Sequence, residues 1–278
     1  MTVSPMVVPF HSLQDADLIV DAVYKGGLRG SVADDPLGRL LPVGNQGGFR
    51  YAGSPLRGSV RLVVLYTSGV EPDWPDVLDE QTGEFTYFGD NRHHGRELHG
   101  TPRRGNILLR DVFAACHGDS VSRQRVPPFL LFAKAATGGR DVLFRGLLAP
   151  GEPTLSADDD LQAIWRGAQG MRFQNYQTRF TVLDAGIVPR AWLMDLVAGS
   201  PLSDNCPGVW REWVHGRSYR PMKAPATRVV RSRADQAPKI GPDRQILAEI
   251  HSYLAHMTLS TVLLNSGAWL HRRRVRLT

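Results

Sequence analysis

Residues 60–92 read VRLVVLYTSGVEPDWPDVLDEQTGEFTYFGDNR. Val60 to Thr67 is a short run rich in β-branched and aromatic residues, which reads as a buried strand, and Phe85 to Phe88 reads as a second one. Between them Gly69, Pro72, Pro75 and Gly83 punctuate a loop. Outward from this segment, Phe129 to Ala133, Val142 to Leu148 and Phe173 to Leu183 carry the same strand signal, and Thr137-Gly138-Gly139 between two of them reads as a hairpin turn. Helix signals are interspersed. Ser12 is placed to cap a helix through Leu13, Ala16, Ile19, Val20, Val23 and Tyr24 that ends at Gly26-Gly27. Pro102 fits the first turn of a helix carrying Leu108, Leu109, Val112 and Phe113, and Ser156 with Asp158 and Asp159 opens another through Leu161, Ile164 and Trp165. Two short helices are expected after Pro189 and Pro207. Strands outnumber what a bundle allows and lack a regular βαβ rhythm. The expected class is α+β, a curved, mostly antiparallel sheet or half-barrel flanked by helices.

Composition narrows the function classes. The 278 residues are 42% hydrophobic, enough for one sizeable core or two modest ones. No run approaches the roughly 20 apolar residues that span a bilayer, and Met1 to Phe10 lacks a signal-peptide pattern, so a cytoplasmic location without a membrane partner is expected. Cys116 and Cys206 are too few and too far apart for a disulfide framework or a CxxC zinc pair. The net charge of +6 is unevenly spread. Ten of the 33 basic and three of the 27 acidic residues lie from Lys223 onward, which leaves 23 basic against 24 acidic before it. The high isoelectric point therefore says nothing about residues 1–222. Local clustering is more informative: Arg92, Arg96, Arg103 and Arg104, with His93, His94 and His99 among them, form a loop suited to lie along phosphates or simply to face solvent.

The loop and strand from Glu71 to Arg92 combine aromatics with carboxylates. An extruded nucleobase needs π faces on either side, for which Trp74 and Tyr87 are the candidates, and an acceptor for its exocyclic amine, for which Asp76 is placed. The competing reading of Trp74-Pro75 is a packed turn.

The whole segment Val60 to Phe113, continued by "VPPFLLFAKAATGGRDVLFRGLLAPG", "MRFQNYQTRFTVLDAGIVPRAWL" and "RYAGS", resembles the N-terminal recognition domain of the AspBHI/MspJI group of modification-dependent restriction endonucleases, over nearly all of residues 7 to 222. The resemblance implies an SRA-like fold, similar to the eukaryotic SET- and RING-associated methylcytosine readers, and recognition of 5-methylcytosine in duplex DNA by base flipping, 5-hydroxymethylcytosine being a further candidate. A C-terminal nuclease domain follows in that group. Within "FTYFGDN", Tyr87 matches the Tyr that stacks on the flipped base. Asp76, 11 positions earlier, matches the Asp that accepts the cytosine amine, with Asp73 and Asp79 as rivals. Trp74, the candidate for the second face, departs from the Tyr of the eukaryotic readers. Asp90 either accepts from the base edge or fixes the turn after Gly89. Gly44-Asn45-Gln46-Gly47-Gly48 suits a groove-entering loop, since Asn45 and Gln46 both donate and accept, or else a plain surface loop. Asn91, Arg92, Arg103 and Arg104 complete the expected contacts to groove and backbone. One buried methyl is worth about 1 kcal/mol, so the pocket alone should favour the methylated base by roughly tenfold or less.

Residues 1–222 are thus expected to form the recognition domain and 223–242, rich in Pro, Ala and Arg, a linker. Residues 243–278 read as the truncated start of a nuclease domain or an unrelated basic tail, as in a frameshifted gene or a stand-alone reader. A nuclease of the group's type needs an acidic residue and a Glu or Gln two positions before a lysine, to hold Mg²⁺ and stabilise the scissile phosphate. The four lysines, Lys25, Lys134, Lys223 and Lys239, are preceded at that spacing by Val23, Phe132, Pro221 and Ala237. No catalytic or metal-binding residue is therefore assigned, and Mg²⁺ is expected only where a nuclease domain is supplied. His93-His94 reads as a surface pair. The expected partner is double-stranded DNA containing modified cytosine, with a homo-oligomer left open. An active nuclease using a partner-supplied or unrecognised site, and a binder of modified RNA, are the alternatives.

Overall fold

Pairing between strand-forming runs decides where every other element sits. The computed structural model describes residues 5–44 and 47–224. Asn45, Gln46, all but the first two residues of the 223–242 stretch, and segment 243–278 lie outside the described residues. In chain order the strands are β1 Val7–Val8, β2 Leu18–Ile19, β3 Val23–Tyr24, β4 Phe49–Ala52, β5 Leu62–Thr67, β6 Val77–Asp79, β7 Glu84–Phe88, β8 Phe129–Lys134, β9 Val142–Pro150, β10 Leu161–Ala168, β11 Met171–Leu183 and β12 Ile187–Val188. The helices are α1 Pro36–Leu40, α2 Gly105–Cys116, α3 Ser120–Arg123, α4 Ala157–Asp160, α5 Arg190–Ala198 and α6 Gly208–Gly216. The main sheet runs β4-β5-β8-β9-β11-β7-β6, with β3 on β9, β1 on β3 and β10 on β11, while β2 and β12 pair apart from it. Only β5 with β8 and β1 with β3 are parallel. The fold is accordingly α+β, on a large, open, mostly antiparallel sheet.

The apolar run at the start of β5 explains its place. Leu62, Val63, Val64 and Leu65 are all fully buried, as an inner strand covered on both faces requires. Between β8 and β9 the register slips at Leu131/Phe132, a bulge that adds twist and bends the sheet. The sheet curls far enough for its two end regions to touch: Phe49 of β4 and Tyr87 of β7 bring their ring centroids within 6.3 Å, although five other pairings separate these strands along the sheet. Helix α2 buries Leu109, Val112 and Phe113, and the Phe113 ring meets Phe180 of β11 edge-on at 5.3 Å. Helices α5 and α6 begin directly after Pro189 and Pro207, and their Trp192, Trp210 and Trp213 stack in series, centroids 6.3 and 4.8 Å apart.

Two expected helices are replaced. Where a helix was read from Ser12 to Tyr24, there is a 3-10 turn over Phe10–Asp15 followed by β2 and β3. Asp21 at φ 64° breaks the helical path, Val23 pairs with Leu143, and the Tyr24 hydroxyl accepts from Ile19 N and donates to Asp17 O. The helix read from Ser156 through Trp165 stops after the single turn of α4, because Leu161 to Ala168 finds an eight-residue partner in β11. In both cases sheet pairing outweighs helical periodicity. Helix α2 also starts later than Pro102, at Gly105, because Arg104 is left-handed at φ 56°.

The turn joining β7 to the following loop rests on a buried polar hub. Asn106, Asn175 and Asn91 are at most 1% exposed. The Asn175 Oδ1 accepts from Asn91 N (3.2 Å), Tyr176 N (3.0 Å) and Asn106 Nδ2 (3.0 Å), while its Nδ2 donates to Gly89 O (3.0 Å). Asn106 Oδ1 in turn accepts from Asp90 N. A Cβ on Gly89 would lie 2.0 Å from Asn106 Oδ1, so no other residue fits there. Each buried polar group left unpaired costs about 1–3 kcal/mol. Asn175→Ala should therefore lower the unfolding free energy by about 2–4 kcal/mol in urea titration, whereas Gln162→Ala on exposed β10 should change it by ~0.5 kcal/mol or less. Matching midpoints for the two variants would show that the hub does not hold the turn.

Candidate functional site

A cavity of about 220 Å³ opens where the two ends of the curled sheet approach each other. It is smaller than the roughly 300–1,000 Å³ of sites for drug-sized ligands, which suits one heterocycle. From the β4 side it is lined by Gly47, Gly48 and Arg50; Tyr66 and Ser68 come from the end of β5, Glu71 from the loop after it, and Asp76 and Arg92 from either side of the β6–β7 pair.

Asp76 sits just before β6, and its side chain is 3% exposed. Its Oδ1 accepts from Phe88 N at 3.1 Å, its carboxylate also takes the Thr67 hydroxyl, and its Oδ2 lies 3.7 Å from Arg92 Nη2. Burial pushes its pKa up to about 6, against the pull of Arg92 and the Phe88 N–H. At 3.7 Å the ion pair is loose; Arg92 also donates over 3.4 Å to Gly89 O and Phe88 O and makes a side-chain hydrogen bond with Tyr87. Its guanidinium lies 6.0 Å from the centroid of the Tyr87 ring.

The opposite wall is fixed more tightly. Arg50 pairs with Asp35 at 2.5 Å and donates from Nε to Gly47 O at 2.9 Å, while Asp35 caps α1 through Leu37 N. The chain leading into β4 is thus tied to the start of α1. Gly48 lies so close to β5 that a Cβ there would stand 2.6 Å from Tyr66 O. Burial raises the Tyr66 hydroxyl above its ordinary pKa, partly offset by Arg50. The arrangement places the Asp76 and Glu71 carboxylates, the Tyr66 ring, the Arg50 and Arg92 guanidinium groups and the Ser68 hydroxyl around one hole.

Of the residues read from the sequence, Asp76 and Arg92 line this cavity, and Tyr87 lies beneath Arg92 in the main core, 1% exposed. Trp74 is not brought to it. Phe88 and Tyr87 are neighbours on one strand and point to opposite faces, and Trp74 packs with Phe88 and Phe173, centroids 5.6 and 6.0 Å away. The expected Trp74–Tyr87 sandwich is therefore not formed. Asp90 is also redirected: its two oxygens accept from Gly105 N (2.9 Å) and Asn106 N (3.0 Å), so it caps α2 from outside the helix. Asn91 is buried in the hub, its Nδ2 donating to Gln174 O at 2.8 Å, and faces no groove. Arg103 is half-buried beside Gly47, and its carbonyl accepts from the Tyr51 hydroxyl at 3.2 Å. Arg104 is exposed at the start of α2. Asp73 is exposed, and Asp79 organises its own turn by accepting from Gln81 N, so neither rival of Asp76 reaches the cavity. Tyr66, Arg50, Ser68 and Glu71 were not singled out in the sequence. Among the described residues no group of three His, Cys, Asp or Glu is placed to hold a metal ion, and no helix is long and apolar enough to cross a membrane.

Residues 18–225 match the family model described as restriction endonuclease AspBHI N-terminal. Among solved structures, the chain is similar to the DNA modification-dependent restriction endonuclease AspBHI, with 46% identity and a TM-score of 0.74 over 79% of this chain and 100% of that one. It is similar as well to the DNA recognition domain of the cytosine modification-dependent restriction endonuclease LpnPI, with 40% identity and a TM-score of 0.75 over 81% of this chain and 100% of that one. The MspJI restriction endonuclease in complex with a 27-mer oligonucleotide shares the fold, at 21% identity and a TM-score of 0.58, over 95% of this chain and 67% of that one. No curated protein matches the chain. With three quarters of its length in the family model and 46% identity to AspBHI over the 79% of the chain that aligns, the chain belongs to the AspBHI N-terminal family of restriction endonuclease domains.

Proposed function

We propose that the chain is a DNA-recognition domain for modified cytosine, and that the Asp76 cavity receives a 5-methylcytosine turned out of the duplex. The relatives support the coarser part: AspBHI is described as dependent on DNA modification and LpnPI as dependent on cytosine modification. The observation that carries the finer part is the Asp76 carboxylate. It is buried, lines a cavity sized for one ring, and when ionised can only accept hydrogen bonds, which matches the exocyclic amine of cytosine.

Arg92 gives the second support. A planar, nitrogen-rich donor lies over the Tyr87 ring and beside the Asp76 carboxylate, where a cytosine would offer a planar ring and an amine. An entering base displaces Arg92 from the Asp76 carboxylate, and the freed guanidinium becomes available to phosphate. Tyr87 then floors the pocket and Tyr66 supplies the aromatic wall from β5, the part first read for Trp74. Ser68 and Glu71 line the same cavity and can take the hydroxyl of 5-hydroxymethylcytosine, so the cavity has no chemical ground to reject that base.

Asp76→Asn, which keeps the shape but supplies donors, is expected to abolish the preference for methylated over unmethylated duplex in a gel-shift titration; a preserved ratio would remove Asp76 from the base edge. Tyr66→Ala is the companion test. It should weaken methylated-duplex binding by at least about fivefold, the low end of a lost base–aromatic stack, and unchanged affinity would exclude Tyr66 as a wall.

The raised pKa sets a pH signature. Because the amine needs an ionised acceptor, affinity is full above Asp76's value of about 6 and falls as pH drops through it. Affinity for methylated duplex should decline about tenfold from pH 7 to pH 5, and Asp76→Asn should flatten that profile. An equally steep decline in the variant would place the titrating group elsewhere.

A further inference from the structure

The ribbon of β10 and β11 is the part of the molecule that the base cavity leaves unexplained. Its 23 residues, Leu161 to Leu183, contain Arg166, Arg172 and Arg179 and no carboxylate, in a chain whose first 222 residues are otherwise close to neutral. Strand register sets Trp165 opposite Gln174, Ala163 opposite Tyr176 and Gly167 opposite Arg172, so Trp165, Arg172, Gln174 and Tyr176 share one face. The other face is closed by the apolar cluster of Phe173, Ile164 and Trp74, with Arg166 lying 5.3 Å from the Trp74 ring centroid.

Trp165 is 62% exposed and is the one fully exposed aromatic among the described residues. Edge strands are ordinarily blunted with charge, proline or a covering segment. A bare indole on β10, which pairs only with β11, therefore calls for an occupant. The face is continuous with the cavity wall. At the ribbon tip Gln169 Oε1 lies 2.8 Å from His94 Nε2, and at its base the Tyr176 hydroxyl lies 3.0 Å from His99 Nε2. Both histidines belong to the loop that also carries Arg92. Exposed Arg96 lies on the same loop.

We propose that the outer face of this ribbon is a second DNA-contact surface, lying along the duplex beside the extruded base, with Trp165 packed into a groove and Arg172 against the phosphates. A two-stranded ribbon fits the major groove, and apolar side chains wedge into the minor one. The inference rests on the base-binding reading, but makes a different demand on the data. The cavity reads the modification, whereas the ribbon contributes equally to methylated and unmethylated duplex.

The test is a titration of the full chain with matched methylated and unmethylated duplexes at several salt concentrations, using Trp165→Ala, Arg172→Ala and Asp76→Asn. Trp165→Ala should weaken binding to both duplexes alike, by at least about fivefold. Arg172→Ala should lower the slope of log affinity against log salt by about 0.9. Both should keep the ratio between duplexes that Asp76→Asn loses. Both substituted side chains are exposed, and thermal melting confirms that the variants fold. Wild-type affinity and salt slope in the two ribbon variants, with the ratio lost only in Asp76→Asn, would overturn the ribbon surface and leave the base pocket standing. A shift in oligomeric state of Trp165→Ala at unchanged affinity would equally overturn it, assigning the edge to a second copy of the chain. Failure of the wild type to distinguish the duplexes would remove the base reading and this inference with it.

Discussion

One carboxamide oxygen, Asn175 Oδ1, accepts three N–H groups, one from its neighbour Tyr176 and two from Asn91 and Asn106, which lie 84 and 69 residues away in sequence. It joins β11 to the Gly89–Asn91 turn and to the first turn of α2. A single oxygen with three donors in a dry interior is a stringent arrangement, since any shift of one segment leaves a buried donor without a partner. The turn it fixes is the one from which Arg92 projects, and β7, which precedes the turn, supplies the N–H that holds Asp76. Asp90 completes the assembly by satisfying two of the otherwise unpaired N–H groups of α2. The functional wall of the cavity is thus set by polar groups that never touch a ligand.

Against that rigid frame the cavity itself is electrostatically unfinished. Asp76 has lost most of its water, yet its nearest cation stands 3.7 Å away rather than in a close pair. The Arg50–Asp35 pair a few residues off, at 2.5 Å, shows what a finished contact looks like in the same molecule. Burial without full compensation is why the Asp76 carboxyl is raised rather than lowered. On the proposed reading, a planar donor that hydrogen-bonds this carboxylate directly would take the place of the 3.7 Å cation. The backbone around Arg92 is meanwhile held by the hub.

The strands of the main sheet were legible because their apolar residues are contiguous and β-branched, and the helices after Pro189 and Pro207 because proline fixes a start. The segments Ser12–Tyr24 and Ser156–Trp165 misled because both carry helical spacing and a capping residue. Their fate was decided by partners, Leu143 for Val23 and Gln174 for Trp165, that no local pattern reveals. The site divides the same way. Asp76 was reachable through its spacing from Tyr87, whereas Trp74 drew attention by residue type although strand alternation puts Phe88, its packing partner, on the far face from Tyr87. Tyr66 and Arg50 were invisible because they join the cavity only through curling of the sheet, and that depends on a bulge that leaves no mark in composition. Asn91, read as a groove contact, serves the hub, and Asp90, read as either a base-edge acceptor or a turn residue, caps the start of α2. A conspicuous polar residue in a turn is as well suited to orphan backbone groups as to a ligand.

The charge distribution adds a constraint on how such a domain finds its target. Non-specific attraction to DNA comes from the summed positive potential, and residues 1–222 carry 23 basic against 24 acidic groups. A body this balanced has little general affinity for phosphate. Whatever attraction it has must come from local separation of charge, with arginines gathered on the β10–β11 ribbon and on the 92–104 loop and carboxylates engaged elsewhere as caps and ion-pair partners. Asp90 on α2, Asp35 with Arg50 and Asp141 with Lys25 are cases in point. On the proposed reading, the ribbon, which carries no carboxylate, and the neighbouring loop that lines the cavity with Arg92 are the surface that meets the duplex. On that reading the position of the arginines, more than the net charge, orients the domain on DNA.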